Sequence, residues 1–219
     1  AMAHVVEGDT VHAAAGVYAE GAVATTTGAS VGSMARLYIN TPRVTVVADE
    51  GRDVTFIEGA DATSNVNDYG MGDGATRAVY VEGVPGVRVR NFTIRKGRTS
   101  QLTNDQGGGA WCSNGKMAYD DRTVFEGCCF TNNWAWFGGA IGNGICMNCT
   151  FVCNGCSKNR SVSTETDMYG CFFDRNKGTG DQGTIYGPMH VVNCTFGPNN
   201  TTAKNGVGGT VIPAIGSPL

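Results

Sequence analysis

The stretch FTNNWAWFGGAIGNGICMNCTFVCNG, residues 130–155, carries one complete unit of a repeat that runs through the second half of the chain. Cysteines stand at 128, 149, 171 and 194, at spacings of 21, 22 and 23 residues. Two residues after each comes Phe130, Phe151, Phe173 or Phe196, and three further on Asn133, Asn154, Asn176 or Asn199. The residue before each cysteine is Gly127, Asn148, Gly170 or Asn193, and an apolar side chain (Phe125, Cys146, Met168, Val191) lies three before. Upstream, Val89, Asn91, Phe92, Ile94 and Gly97 fall in the same columns, and Asp53, Val54, Phe56 and Gly59 are assigned to them one unit earlier.

Self-similarity at this period indicates a solenoid. Within each unit the apolar residues alternate with period two, the spacing of strands, and the three- and four-residue spacings of helices are missing. Columns restricted to glycine and asparagine mark bends that need a left-handed backbone. The fold class that follows is all-β: a single-stranded, right-handed parallel β-helix of about 22 residues per coil, with successive coils about 4.8 Å apart. Like side chains then lie over like, cysteine on cysteine and phenylalanine on phenylalanine, and the stack buries an apolar face that one coil could not. Each coil has an opening, a middle and a closing strand. The opening strands place Val79, Trp111, Ile141, Ile185 and Val211 inward, and glycines precede most of them (107–109, 138–139, 183, 208–209).

Length and composition agree with one elongated domain over residues 1–219, a piece of a longer surface protein being the alternative. The 219 residues carry a net charge of −3, so a nucleic-acid partner is not expected. No apolar run is long enough to span a membrane. The opening Ala-Met-Ala reads as an engineered start in place of a secretion signal. Nine cysteines leave at least one without an intramolecular partner. The spacing Cys146-x2-Cys149-x3-Cys153-x2-Cys156 invites a metal site, but Cys149 belongs to the ladder and Cys146 to an apolar column, where cysteine acts as a small hydrophobe. No metal is therefore expected there. Cys153 and Cys156 flank a turn and are placed to form a disulfide; Cys112 and Cys129 fall in outward columns and are candidate reactive thiols. Four N-x-[ST] sequons arise from the repeat itself and carry no weight.

The repeats resemble right-handed β-helix proteins of the pectate-lyase-like superfamily. Gly8-Asp-Thr-Val, Ala15-Gly-Val-Tyr and Asn91-Phe-Thr-Ile-Arg-Lys-Gly look like that superfamily's opening coils. The later F-x-x-N units and Gly138-Gly-Ala-Ile are similar to the repeats of polymorphic outer-membrane and bacterial autotransporter-like surface proteins. Such motifs are core and turn residues, specific for fold and uninformative about activity. The resemblance implies a secreted or surface-displayed bacterial module and, for its enzymes, acids, bases and often calcium on an outward strand face against acidic polysaccharides.

Among the outward columns, only the middle strand stacks ionisable groups: Arg88, Val124, Ile145, Asp167, His190. A carboxylate one rung from an imidazole can orient it as a general base, so Asp167 and His190 are the candidate catalytic pair, against the plainer reading of a surface ion pair. Paired carboxylates of the kind that cleave glycosides are absent from the strand faces. Asp120-Asp121, in a loop, is a possible calcium ligand pair, although such loop acids are usually just solvated; no other cofactor is implied. The more promising surface is one corner. The connections 60–77, 98–106, 134–137, 155–163, 177–182 and 200–207 all leave from the same bend and must form one wall, and loops on a rigid scaffold commonly carry binding. Tyr69, Trp134, Trp136, Arg98, Asp105, Lys158 and Arg160 are its candidate ligand-binding residues, with the tryptophans stacking on sugar rings or anchoring a protein partner. The alternative is that one tryptophan folds inward against a neighbouring loop. The expected function is an adhesin-like binding module, secreted or displayed at the cell surface, monomeric, with a polysaccharide or glycosylated surface as partner; a polysaccharide lyase or glycoside hydrolase, or a structural stalk, are the alternatives.

Overall fold

The computed structural model describes residues 2–25, 33–100, 106–113, 117–157, 162–179, 184–187, 190–202 and 211–212. Among them there is no α-helix, only two single-turn 3-10 segments, and no helix long and apolar enough to cross a membrane. The chain winds into a parallel β-solenoid. The middle sheet has seven strands in the chain order of successive coils, from Thr10–Ala13 through Arg88–Arg90 and Ile145–Met147 to Val191–Val192. The closing sheet has seven, from Gly16–Tyr18 to Thr195–Phe196. The opening sheet has eight, from Val211–Ile212 back to Met34–Ile39, with Val23–Ala24 pairing antiparallel at its end. Every other strand pair is parallel, so each coil returns beside the last.

The ladders read from the repeat form as expected. Phe130 pairs with Phe151, Phe151 with Phe173 and Phe173 with Phe196, and the rings stack at 4.9, 4.6 and 4.8 Å between centroids. The Cys128, Cys149, Cys171 and Cys194 thiols lie in a row behind them, hydrogen-bonded from rung to rung. Each row begins at a bend whose residue, Gly127, Asn148, Gly170 or Asn193, has φ between 53° and 62°. The asparagine ladder closes the other end of the strand. Asn133 donates from Nδ2 to Asn154 Oδ1 (2.9 Å), Asn154 to Asn176 (3.0 Å) and Asn176 to Asn199 (3.0 Å), while each Nδ2 also bonds a backbone carbonyl. The same Oδ1 atoms accept the backbone N–H one coil earlier, at Gly97, Asn133, Asn154 and Asn176. A side-chain ladder thus meets the backbone needs of a buried bend where the sheets cannot.

Three expectations about strand faces are corrected. Ala110, not Trp111, fills the inward slot between Val79 and Ile141, because an indole has no room in that column; Trp111 pairs with Tyr80 and Gly142 on the outer face. Cys112 is consequently inward and fully buried, and burial pushes its thiol up to about 12, so it is not a reactive thiol. In the second coil Ile57, not Phe56, joins the phenylalanine column through Ile94. There the connection 49–54 replaces the two-residue bend of later coils, and a one-residue slip exchanges the two faces of a strand. Phe56 is turned outward under the Arg95 guanidinium, 4.1 Å from its ring, while Thr55 is buried. The opening strand of the 150s coil, Ser163–Thr164, has no large apolar residue and escaped the column reading.

All nine cysteines are free; Cys153 is exposed and Cys156 buried, so the disulfide expected between them does not form.

Candidate functional site

The corner after the asparagine ladder is less loop than expected. Its connections begin with strands: Trp134–Ala135, Gly155–Cys156, Lys177–Thr179 and Asn200–Thr202 form a fourth parallel sheet. Trp134, Gly155, Lys177 and Asn200 share one column of it. Loop 60–76 is bound to this sheet from outside. It folds back on itself through Ala60–Thr76 and Ser64–Asp73 bridges, and the Asn67 carboxamide accepts the N–H groups of Tyr69 and Met71 to form its tip. Met71 is fully buried, and its sulfur accepts the Ser157 hydroxyl.

This docking sets Tyr69 on Trp134, with ring centroids 4.2 Å apart and planes within 10°. The indole also lies across Gly155, where a Cβ would come within 2.5 Å of the ring, so the glycine is what lets the tryptophan lie flat. Lys177, one coil on, brings its ammonium to 5.5 Å from the Tyr69 ring centre and 5.9 Å from that of Trp134, at cation–π range. Among the described residues no acid pairs with Lys177. Beside the rings, Arg98 is buried at 7 % exposure. It ion-pairs through Nε with Asp61 at 2.9 Å and donates to the Gly97 and Asn132 carbonyls. Burial pushes the guanidinium below its ordinary value and Asp61 opposes that shift. Gly70 packs against the Asp61–Arg98 pair with φ of +75°, leaving no space for a side chain. The hollow so formed is about 230 Å³, lined by Asp61, Asp68, Tyr69, Arg98, Asn132 and Trp134.

The corner therefore brings together Tyr69, Trp134 and Arg98 of the expected binding residues and adds Asp61 and Lys177. Lys177 was visible in the sequence as the residue one column-step from Gly155, but only once the corner is read as a strand. Trp136 is half-buried and does not line the hollow. Asp105, Lys158 and Arg160 lie outside the described residues.

Asp167 and His190 do occupy adjacent rungs of the middle sheet. Asp167 is 2 % exposed, and Oδ2 takes the Arg122 guanidinium at 2.7 Å while Oδ1 takes the His190 backbone N–H at 2.6 Å. His190 Nδ1 stands 3.5 Å from Oδ1, on a side chain that is 71 % exposed. Arg122 also donates to the carbonyls of Gly144 and Glu165, and Tyr119 bonds Tyr169, so the segment 117–122 runs over this face. Asp120 and Asp121 sit in its 3-10 turn, and no group of three or more potential metal-binding side chains exists among the described residues.

A second hollow, about 300 Å³, lies on the outer face of the opening sheet around Trp111, Phe137 and Tyr186. The inward assignment of Trp111 hid it from the sequence reading.

The chain is a parallel β-solenoid by its coil register alone. No family model matches it, and neither a curated protein nor a solved structure matches it.

Proposed function

We propose that the chain is a binding module that holds a glycan at the corner formed by Tyr69, Trp134 and Lys177, displayed at or outside the cell surface. One observation carries this reading: two stacked aromatic rings are held at the surface by a docked loop, with an ammonium at their edge that no acid among the described residues pairs with. The ring edges that this stack leaves open can take the C–H surface of a pyranose, and fixed polar groups around them set its orientation. Asp61, Asp68 and Asn132 supply acceptors for sugar hydroxyls, and Lys177 supplies donors. The resemblance of the repeats to bacterial surface β-helix proteins supports display at the surface and says nothing of the ligand.

A glycan array probed with the purified chain, followed by titration of the hits against Tyr69→Ala and Trp134→Ala, tests the proposal. Affinity is expected to fall by about tenfold or more in each. Binding that survives both substitutions rules out this corner. The enzymatic alternative has less support, because both oxygens of Asp167 are engaged by Arg122 and by backbone, and His190 Nδ1 stands 3.5 Å from Oδ1, beyond hydrogen-bond contact of the kind that orients a base.

A further inference from the structure

We infer that the outer face of the opening sheet carries a second site, separate from the corner, that binds a neutral, hydroxyl-rich saccharide. Trp111, on that face, lies flat against Gly142, where a Cβ would stand 2.2 Å from the indole Cζ3. Phe137 is held beside it by pairing with Gln106, and Tyr186 stands in the Trp111 column two coils on from Gly142. These three rings wall the hollow of about 300 Å³.

Its polar groups point to the ligand. Asn143 lines the hollow at 8 % exposure, and its side-chain Oδ1 has no hydrogen-bond partner. Its backbone is placed by φ of 62° and by an N–H bond to Thr164 O, and its side chain is buried against the hollow. An unsatisfied buried amide calls for a partner. A hydroxyl serves it in either orientation of the carboxamide, since it both donates and accepts. Glu165, held at φ 49° on the rim, adds a carboxylate that accepts from hydroxyls, and Gln106 adds a further amide. Among the described residues no lysine, arginine or histidine lines the hollow. A uronate would bring its charge toward Glu165 with no cation among those lining residues to meet it. The wall chemistry therefore selects neutral sugar, whereas the corner, with Lys177, has no such bar.

The test is titration of the full chain, followed by tryptophan fluorescence and calorimetry, with cellohexaose, xylohexaose and mannohexaose and with hexagalacturonate. It uses wild type, Trp111→Ala, Asn143→Asp and Trp134→Ala, each checked for unchanged circular dichroism. At least one neutral oligosaccharide is expected to bind wild type, and about tenfold more weakly to Trp111→Ala and Asn143→Asp. Should Trp111→Ala disturb the sheet, Tyr186→Ala and Asn143→Asp give the same reading. Neutral-sugar affinity unchanged by the groove variants but lost in Trp134→Ala overturns the second site and leaves the corner proposal standing. Binding of hexagalacturonate alone, or of none of the four probes, overturns the second site as well, whatever the corner is then found to bind on an array.

Discussion

Replacing Asn154 by alanine is the sharpest probe of what holds the coils together. Asn154 is fully buried. Its Oδ1 accepts both the backbone N–H of Asn133 (3.1 Å) and Asn133 Nδ2 (2.9 Å); its Nδ2 donates to Phe130 O (2.8 Å) and Asn176 Oδ1 (3.0 Å). Alanine strands two donors of Asn133 with no acceptor in reach, and it leaves Asn176 Oδ1 with one donor in place of two. A stranded buried donor costs about 1–3 kcal/mol, which puts the loss at about 2–6 kcal/mol, a large share of the ~5–15 kcal/mol that holds a typical domain folded. With a urea m-value of about 2 kcal/mol/M, a 4 kcal/mol loss lowers the midpoint by about 2 M. Equilibrium urea unfolding followed by tryptophan fluorescence reads that shift, and native-state hydrogen exchange reads the Asn133 amide directly. Thr131→Ala, on the neighbouring rung of the same sheet, is the control and should stay within about 0.5 kcal/mol. A midpoint moved by no more than the control's, with the Asn133 amide still protected, would refute the claim that the asparagine ladder carries the bend.

Two further predictions concern the thiols. Burial pushes Cys112 up to about 12 and Cys146 to about 11, and hydrogen bonding to Cys149, with burial, pushes Cys171 to about 12, all from an ordinary 9.0. The unfolded chain gives up these protons first, so the stability from the neutral thiols is complete below pH 9.0 and lost as pH rises through the folded values. Urea midpoints should fall steadily above that pH, and a flat profile would contradict it. In native protein at neutral pH, Cys153 should react with a disulfide reagent first and Cys112 only on unfolding, since one is exposed and the other closed off; mass mapping of early-labelled peptides decides this.

The repeat was legible because stacking imposes it. A column that is buried on every rung must be apolar or paired on every rung, so Phe130, Phe151 and Phe173, and the asparagines beside them, repeat visibly. Where a bend lengthens, as at 49–54, the period still suggests a strand, but the face is lost; Phe56 and Ile57 are equally apolar, and only the pairing to Thr93 and Ile94 separates them. Trp111 was misplaced for a related reason. Its neighbour Ala110 is small enough for the interior, and the sequence alone does not show that Gly142 offers the indole a flat seat outside.

The candidate sites divide along the same line. Sequence alone determined that the chain coils, that the phenylalanines, cysteines and asparagines of its later coils stack within it, and that Tyr69, Trp134 and Arg98 leave from one corner, because these follow from local bend chemistry repeated at a constant period. The tertiary structure decided that loop 60–76 doubles back to lay Tyr69 on Trp134, that Lys177 reaches them from the next coil, and that Asn143 is left unsatisfied between Trp111 and Tyr186. Those contacts join residues far apart in sequence or on different rungs, and they depend on how far each connection reaches before it meets the solenoid, which no single coil encodes.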